Sequence, residues 1–125
     1  MARQRDEWLS LVDELNLRIK SLDSWLDERA RRDERVLRLQ THPGIGLLTS
    51  LALVHALEPV TRFGGGRKVA AYVGLEPMEY SSGEKQRFGA ISKSGSRLLR
   101  YLLVGAAQIT VRRDEGLKRF YLRLL

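Results

Sequence analysis

Apolar residues recur every three or four positions along the first forty residues, and charged residues fill the positions between them. The repeating apolar positions are Trp8, Val12, Leu15, Ile19, Leu22 and Leu26. This spacing is a heptad repeat, and neither glycine nor proline interrupts the chain before Pro43. We therefore predict one long helix from Asp6 to Gln40, with fraying near residues 31–33.

The apolar stripe of this helix needs a surface to cover it. Leu9, Leu11 and Trp25 widen the stripe beyond a strict heptad seam, which favours docking on several helices over a two-stranded coil. Two interpretations stay open, a structural strut and a dimerisation arm. Arginines between residues 29 and 35 alternate with acidic residues, so we interpret that segment as a solvated face.

A glycine-hydrophobic-glycine turn separates the long helix from a second helical pattern. Gly44 and Gly46 flank one apolar residue, and an apolar run with helical spacing begins near Leu47. Free backbone amides at a helix start, together with the helix dipole, can hold a phosphate. The turn resembles the helix-hairpin-helix motif, which holds a DNA phosphate without reading sequence. The alternative is a tight interhelical turn with no ligand.

Glycines also divide the remainder of the chain into short elements. Residues 64–66 are all glycine but lack the lysine and hydroxyl residue that end a nucleotide-binding loop, which excludes an ATP site. A short helix is predicted from Arg67 to Val73, with Gly74 at its C-terminus. A core helix with Ser94 or Ser96 as its cap should follow, then a last helix over residues 117–125. In that last helix we expect Phe120, Tyr121 and Leu124 to point inward.

These patterns predict a mainly α fold. Residues 1–40 form a long, charged, coiled-coil-like helix in this prediction, and residues 41–125 form a compact helical domain. That domain contains the helix-hairpin-helix-like turn and an irregular polar loop near residues 80–87.

Composition narrows the class of protein. The chain has 125 residues, of which 43% are hydrophobic and 30% charged, as in a globular protein with one modest core. It has no apolar run of eighteen residues and no signal-like start, so we expect neither a membrane nor secretion. The absence of cysteine excludes disulfides and thiolate metal sites and is compatible with the cytoplasm, where we expect the protein.

The two histidines do not alter that picture. Neither His42 nor His55 has a carboxylate at ligand spacing, so we predict no metal site and no cofactor in this chain. We expect His55 to be partly buried and hydrogen-bonded.

The net charge of +7 is unevenly distributed. Nine basic and nine acidic residues cancel up to Gln40, whereas thirteen basic and six acidic residues follow it. This asymmetry points to a polyanionic partner of the second part, most simply nucleic acid. A basic surface without a partner is the alternative.

Candidate chemistry concentrates in the polar loop and the segment after it. Ser82 precedes Gly83, and the cations Lys85, Arg87, Lys93 and Arg97 follow. A serine nucleophile needs a proton acceptor, and it needs cations to neutralise charge growing on a phosphate. Glu79 and Glu84 are candidate bases, although no spacing places either against Ser82. A surface turn and a helix cap explain the serines without any chemistry.

Six blocks in a fixed order carry a resemblance to a known family. They are Pro43 to Gly46, Arg62 with Phe63, Ala70 to Pro77, Tyr80 to Gly83, Ile91 to Gly95 and Leu98 to Leu103. In this order they resemble the C-terminal domain of the insertion sequence 110/116/902 transposases, a bacterial family with an N-terminal DEDD nuclease domain. The resemblance covers roughly residues 35 to 112, and the upstream helix resembles the family's linker coil.

The resemblance implies a role for the polar loop. A serine in this block of the family attacks the DNA backbone and forms a covalent phosphoserine link. Ser82 matches that position, and its neighbour Ser81 is the second candidate. The four acidic residues that bind metal in the family, where Mg²⁺ is expected, belong to an upstream domain that is missing here. Their roles pass to no residue of this chain.

We therefore predict the C-terminal part of a DNA transposase or recombinase. It would hold DNA phosphates through Gly44, Gly46, Lys85, Arg87, Lys93 and Arg97. It would supply Ser82 for strand cleavage and rejoining with the upstream DEDD domain, and alone it should be inactive. We expect DNA as a partner, a homo-oligomer through the N-terminal helix, and a guide RNA as an open third partner.

A different class of function is also open. The chain could be a sequence-independent nucleic-acid-binding or oligomerisation module with no catalysis of its own. The abrupt end in an apolar helix and the missing upstream domain predict a fragment or a decayed element in either case.

Overall fold

A computed structural model describes residues 1–83 and 85–125. They form a mainly helical fold with a long N-terminal helix, as predicted, and with one two-stranded antiparallel sheet. The helices are α1 (Ala2–Ala30), α2 (Glu34–Gln40), α3 (Leu47–Leu57), α4 (Gly66–Val73), α5 (Arg97–Arg113) and α6 (Glu115–Leu122), with a 3₁₀ turn at Val60–Arg62. The strands are β1 (Pro77–Glu79) and β2 (Phe88–Ile91).

The prediction of one continuous helix from Asp6 to Gln40 is wrong, because the chain divides into α1 and α2 at residues 31–33, the place where fraying was expected. Asp33 leaves helical geometry, with φ −115° and ψ 106°, and its side chain caps α2 by accepting from the backbone N–H of Arg35. The Arg35 guanidinium donates back to both Asp33 carboxylate oxygens, at 3.0 and 2.8 Å, and to Glu58 at 2.8 Å. These hydrogen bonds from Arg35 lower the pKa of Asp33 to about 2 and raise the pKa of Arg35.

Helix α3 is the centre of the molecule because it is buried on two sides. One apolar cluster joins it to the end of α1 and to α2 through Ala30, Val36, Leu51 and Val54. A second joins it to α4 and α5 through Leu53, Val73 and Leu99. Such a helix is apolar on most of its faces. His55 is exposed, so the expectation that it is partly buried is wrong.

Most of α1 extends away from this core. Every residue before Leu26 is exposed, including Trp8 and the other seam positions, and only Ala30 of the helix is buried. A helix of 29 residues spans about 43 Å at the usual rise. The heptad seam before Leu26 is therefore not covered by any described residue, whereas Leu26 packs on the core.

The glycine-hydrophobic-glycine turn is fastened to α5. The buried hydroxyl of Thr110 donates to the carbonyl of Pro43 and also lies 2.8 Å from the carbonyl of Ala106. Gly44 has φ 94°, and a side chain there would overlap Thr110 and the Ala106 carbonyl. The close approach of the turn to α5 thus requires glycine at position 44, and it sets where α3 begins.

A second backbone contact holds the segment that precedes α5. Gly74 ends α4 at φ 81°, and a side chain on it would overlap the backbone of Ser94. Gly95, at φ 83°, lies equally close to the Tyr72 carbonyl. One Arg100 nitrogen donates to the carbonyls of Val73, Ser94 and Gly95 at 3.0 to 3.2 Å. The segment is therefore fixed against the end of α4.

The predicted caps and short helices are largely confirmed. Ser96 caps α5 by accepting from the Leu99 N–H at 3.3 Å, and α4 ends at Gly74 as expected. Asp114 ends α5 and caps α6. Phe120, Tyr121 and Leu124 are exposed, so the expectation that they point inward is wrong: α6 contacts α5, but its apolar side chains reach beyond it.

Two aromatic rings and an arginine pack together beside α4. Phe63 meets Tyr72 edge-on with ring centroids 5.3 Å apart. The Arg62 guanidinium lies 4.6 and 4.8 Å from the two centroids.

No helix in the described part of the chain combines the length and hydropathy that a membrane span needs.

Candidate nucleic-acid interface

The polar loop connects β1 to β2, so it forms the end of a hairpin whose two strands lie on either side of it. Pro77 pairs with Ile91 and Glu79 with Phe88, with a bulge between the two pairs. The Tyr80 N–H donates to the Arg87 carbonyl at 2.7 Å, and Ser82 bridges to Lys85. Every described residue from Pro77 to Ile91 is exposed, so the hairpin presents its tip to solvent.

Ser82 lies at the tip of this hairpin. Its side chain is exposed, and Gly83 beside it has φ 64°, the left-handed conformation that tight hairpin turns need. Lys85 faces Ser82 across the turn through the backbone bridge. The hydroxyl is therefore open to a large substrate such as a nucleic-acid backbone.

The carboxylate of Glu79 in this hairpin accepts a hydrogen bond from Ser81, the neighbour of Ser82. The Ser81 hydroxyl donates a short hydrogen bond to Glu79, and both residues are exposed. Glu79 is thus engaged with Ser81, and the other candidate base, Glu84, lies outside the described residues. Within residues 1–83 and 85–125 no carboxylate is hydrogen-bonded to Ser82.

Sequence reasoning did not assign a role to Tyr80. Its ring lies over Gly89, where an added side chain would come within 2.8 Å of a ring carbon. The hydroxyl lies 3.6 Å from the Met78 sulfur, and the side chain is 61% exposed. The available signal was a glycine within β2, because a strand glycine often marks a place where another group approaches the backbone closely.

A separate open groove of about 1130 Å³ lies between the start of α3 and α5. Four of the predicted binding residues line it, namely Gly44, Gly46, Lys93 and Arg97. Ser82, Lys85 and Arg87 do not line it. The predicted interface therefore divides into the hairpin tip and the groove, which are joined through β2: its last residue, Ile91, also lines the groove.

The start of α3 opens into this groove. Gly46 is the N-cap and offers no side-chain acceptor, and nothing lies within 4 Å of where its side chain would be. Residues 46–49 all line the groove. Amides at a helix start lack partners within the helix, so this end of α3 can donate to an anion. Gly44 itself is packed on α5 and shapes the turn.

Cations are also part of the groove lining. Lys93 takes φ 55°, an uncommon conformation for a lysine, and its N–H donates to the Gly74 carbonyl at 3.0 Å. Lys93 and Arg97 have no ion pair with any described residue, and Asp23 is the one acidic residue in the described lining. Lys93 and Arg97 therefore add unpaired positive charge to a lining that is otherwise largely apolar.

Two further groove residues were missed by sequence reasoning, Tyr101 and Gly105. They follow Arg97 at intervals of four, which places all three on one face of α5. The spacing could have indicated this, but the leucines of the same helix dominated the pattern. Of the apolar face predicted for α5, Leu99, Ala106 and Thr110 are buried, whereas Leu98 and Ile109 are exposed.

The described residues contain no group of three or more histidine, cysteine, aspartate or glutamate side chains that could hold a metal ion.

Comparison with known proteins gives a consistent family. A family model described as "Transposase IS116/IS110/IS902 family" matches residues 36–122. A Pseudomonas aeruginosa protein named "Probable family 20 transposase" is 38% identical over 98 residues, covering 78% of this chain and 29% of that protein. The "Transposase for insertion sequence element IS1111A" of Coxiella burnetii is 36% identical over 83 residues, 66% of this chain and 23% of that protein.

A third relative is matched over the same shares of this chain and of its own length as the Pseudomonas aeruginosa protein. The "Transposase for insertion sequence element IS1328" of Yersinia enterocolitica is 36% identical over 97 residues, covering 78% of this chain and 29% of that protein. The matched part of this chain thus spans 23% to 29% of the length of these three relatives. The match includes the groove from Gly44 onward and the whole hairpin.

Proposed function

This chain belongs to the Transposase IS116/IS110/IS902 family, and from that membership we propose that it is the DNA-engaging, serine-bearing part of a longer transposase. Ser82 is the nucleophile of the proposal. The observation that carries it is the exposed position of Ser82 at the tip of a hairpin that lies inside the family match.

The proposed step is a transesterification at a DNA phosphate. The Ser82 oxygen forms a bond to phosphorus as the bond from phosphorus to one nucleoside oxygen breaks. The Ser82 proton leaves to a base, and the released nucleoside oxygen takes up a proton. The reverse reaction with another strand end rejoins DNA and frees the serine. Lys85 and Arg87, beside Ser82 in the hairpin, would stabilise the charge that grows on the phosphate.

In this proposal the groove binds the DNA phosphates that do not react with Ser82. Lys93, Arg97 and the amides at the start of α3 would hold the sugar-phosphate backbone. Such contacts position a strand without reading its sequence. The excess of basic residues after Gln40 would add a long-range attraction for DNA.

The other partners follow from the same proposal. The catalytic metal, expected to be Mg²⁺, and its carboxylates would reside in an upstream DEDD segment of the parent protein. Self-association would use the exposed seam of α1, which includes Trp8, Leu15 and Leu22. A guide RNA remains a candidate partner with no residue assigned to it.

The decisive experiment uses the full-length parent protein with its DNA substrate. We expect Ser82→Ala to abolish strand exchange and the covalent protein–DNA adduct, while DNA binding stays within about threefold of the parent. The matched control is Ser81→Ala, one residue away and equally exposed. If strand exchange persists in Ser82→Ala, or if only Ser81→Ala removes the adduct, the assignment of Ser82 is wrong.

A binding module without chemistry is the second candidate. It is favoured by one observation, that the hydrogen-bonded carboxylate of the hairpin serves Ser81 rather than Ser82. In that case the parent with Ser82→Ala would keep strand exchange. The 125-residue chain would still bind duplex DNA with an affinity that falls steeply with salt.

A further inference from the structure

The exposed face of α5 carries an aromatic residue, Tyr101, that does not pack into the apolar core. Tyr101 is 77% exposed, lines the groove, and follows Arg97 by one turn of the helix. Its ring makes no aromatic pair and its hydroxyl makes no hydrogen bond with any described residue. A rigid aromatic side chain held open beside cations is the usual platform for a nucleic-acid base.

Gly105 lies one further turn along the same face. Glycine inside a helix costs about 1 kcal/mol relative to alanine, and such a cost usually has a packing reason. Here none is found, because nothing lies within 4 Å of the position that its side chain would take. None of the described residues therefore requires glycine at position 105, whereas a ligand that lies flat along α5 beside Tyr101 would require it.

The charges of the groove favour a nucleic acid over a protein helix as the ligand. Lys93 and Arg97 are unpaired among the described residues and stand at the end of the groove that Tyr101 also lines. The start of α3 adds amides on the opposite wall. An apolar helix in the groove would bury both cations without a partner, which is costly. A nucleic-acid strand whose phosphates point toward Lys93 and Arg97 would give each cation an anionic partner.

We propose that the groove holds an unpaired nucleotide of a single strand, with its base stacked on Tyr101 and lying over Gly105. Lys93 and Arg97 then take the flanking phosphates. The inference rests on the proposed function in one respect, that the chain binds nucleic acid. It adds that the groove recognises unstacked rather than duplex nucleic acid. A base inside a duplex has both faces covered, so it cannot stack on Tyr101.

The test measures binding of the 125-residue chain to labelled oligonucleotides, with separate single-stranded DNA, single-stranded RNA and duplex DNA of one sequence. Tyr101→Leu should weaken single-strand binding roughly fivefold to a hundredfold, as expected for the loss of one base–aromatic stack. Duplex binding should stay within about twofold. Tyr101→Phe, which keeps the ring, should bind like the parent chain. If Tyr101→Leu weakens binding of only one of the two single-stranded probes, that probe shows whether the bound strand is DNA or RNA.

Matched controls separate stacking from general damage. Tyr121→Leu removes an exposed tyrosine of α6 that does not line the groove, and it should leave binding unchanged. Gly105→Ala should raise the thermal midpoint, because alanine favours helix, yet weaken single-strand binding. Ala107→Leu, on the same helix outside the groove, should leave single-strand binding unchanged.

Two results would overturn the inference while leaving the proposed function intact. One is equal single-strand affinity for Tyr101→Leu and the parent chain, while Lys93→Ala with Arg97→Ala weakens every arm. The other is that Tyr101→Leu changes self-association instead of oligonucleotide binding, which would make a protein the ligand of the groove. If the parent chain binds none of the three probes at 50 mM salt, on the order of the low-salt conditions that favour binding, the proposed function fails as well.

Discussion

At the scale of single residues, much of the candidate interface depends on backbone lying directly against backbone. Gly74 and Gly95 bring the end of α4 and the segment before α5 into contact, and Arg100 joins their carbonyls. This contact sets the position of Lys93, whose own φ of 55° is otherwise unfavourable. The segment can hold this conformation because its neighbours leave it little room to relax.

Gly95→Ala tests this contact. The added methyl group would overlap the Tyr72 carbonyl, and φ 83° is unfavourable for alanine. We expect the free energy of unfolding to fall by about 2 kcal/mol or more. Urea denaturation followed by circular dichroism measures it.

Gly64→Ala is the control for that measurement, because nothing lies within 4 Å of its added methyl group. It should change the free energy of unfolding by less than about 0.5 kcal/mol. Equal stabilities for the two variants would show that the backbone contact at Gly95 does not exist.

Residue roles set by neighbours in the chain were accessible from the sequence, and those set by distant neighbours were not. The cap at Ser96 and the helix end at Gly74 follow from local rules. The donation from Thr110 to Pro43 joins residues 67 positions apart, and no local pattern announces it. The same limit applies to Ser81 with Glu79, because side-chain direction in a turn depends on its geometry.

At the scale of elements, the boundaries of the first two helices depend on one charged network. The apolar seam ends at Leu26, and no glycine or proline interrupts the chain before Pro43, so one helix with fraying near residues 31–33 was predicted. Asp33 instead supplies a cap, and Arg35 joins that cap to Glu58 beyond α3. A strong heptad pattern reports which face is apolar, but a cap with a partner in another element decides where the helix stops.

Asp33→Ala should destabilise the chain at pH 7 in a pH-dependent way. The pKa of Asp33 is lowered from 3.8 to about 2 in the folded state, so its carboxylate contributes stability above about pH 4. That contribution is lost as the pH falls through 2. The difference in thermal midpoint between parent and variant should therefore shrink from pH 5 toward pH 2, as measured by circular dichroism.

The control for this experiment is Asp13→Ala. Asp13 lies on the exposed face of α1 and forms no ion pair with the described residues. Its effect on the thermal midpoint should be small. A difference for Asp33→Ala that stays constant down to pH 2 would show that charge on Asp33 does not support the cap.

The polar loop shows a further limit at the scale of elements. Its sequence between Tyr80 and Arg87 is polar and contains no apolar alternation, so it was interpreted as irregular. The hairpin forms because the backbone pairs at Tyr80 with Arg87 and at Ser82 with Lys85. Every residue except proline can form main-chain hydrogen bonds, so these bonds leave no pattern of side chains in the sequence. An exposed hairpin is therefore difficult to predict from the hydrophobic pattern.

At the scale of the whole molecule, the chain exposes more apolar surface than its core needs. The seam of α1 is uncovered from Trp8 to Leu22, and the α6 side chains of Phe120 and Leu122 are also exposed. Exposed apolar stretches of this kind are typical of protein interfaces, in agreement with the proposed self-association. Except for Asp23, the groove and the hairpin consist of residues outside α1, so under the proposed function self-association and nucleic-acid binding can be changed separately.

Paired lysine substitutions on the seam, Leu15→Lys with Leu22→Lys, should abolish self-association of the 125-residue chain. Both side chains are exposed in the single chain, so its helical content should be unchanged. Placing charge at the buried positions of a helical interface is costly. Sedimentation equilibrium over a hundredfold range of concentration, on the order needed to reveal mass action, measures the effect.

Ser10→Lys with Ser24→Lys is the matched control. Both serines lie on α1 away from the seam and add the same charge. This pair should associate like the parent chain. If both pairs reduce association equally, net charge rather than the seam would be responsible, and a parent chain that is monomeric at every concentration would remove the interface altogether.

The sequence alone determined the helical class, a serine cap before α5 at Ser94 or Ser96, the helix end at Gly74, the concentration of positive charge after Gln40 and the family resemblance. Each of these depends on composition or on residues close together in the chain. Tertiary structure decided that Gly44, Gly46, Lys93 and Arg97 share one groove with Tyr101, while Ser82 stands on a separate hairpin. That division arises from contacts between α3, α4 and α5, since only the packing of distant segments can bring such residues together or hold them apart.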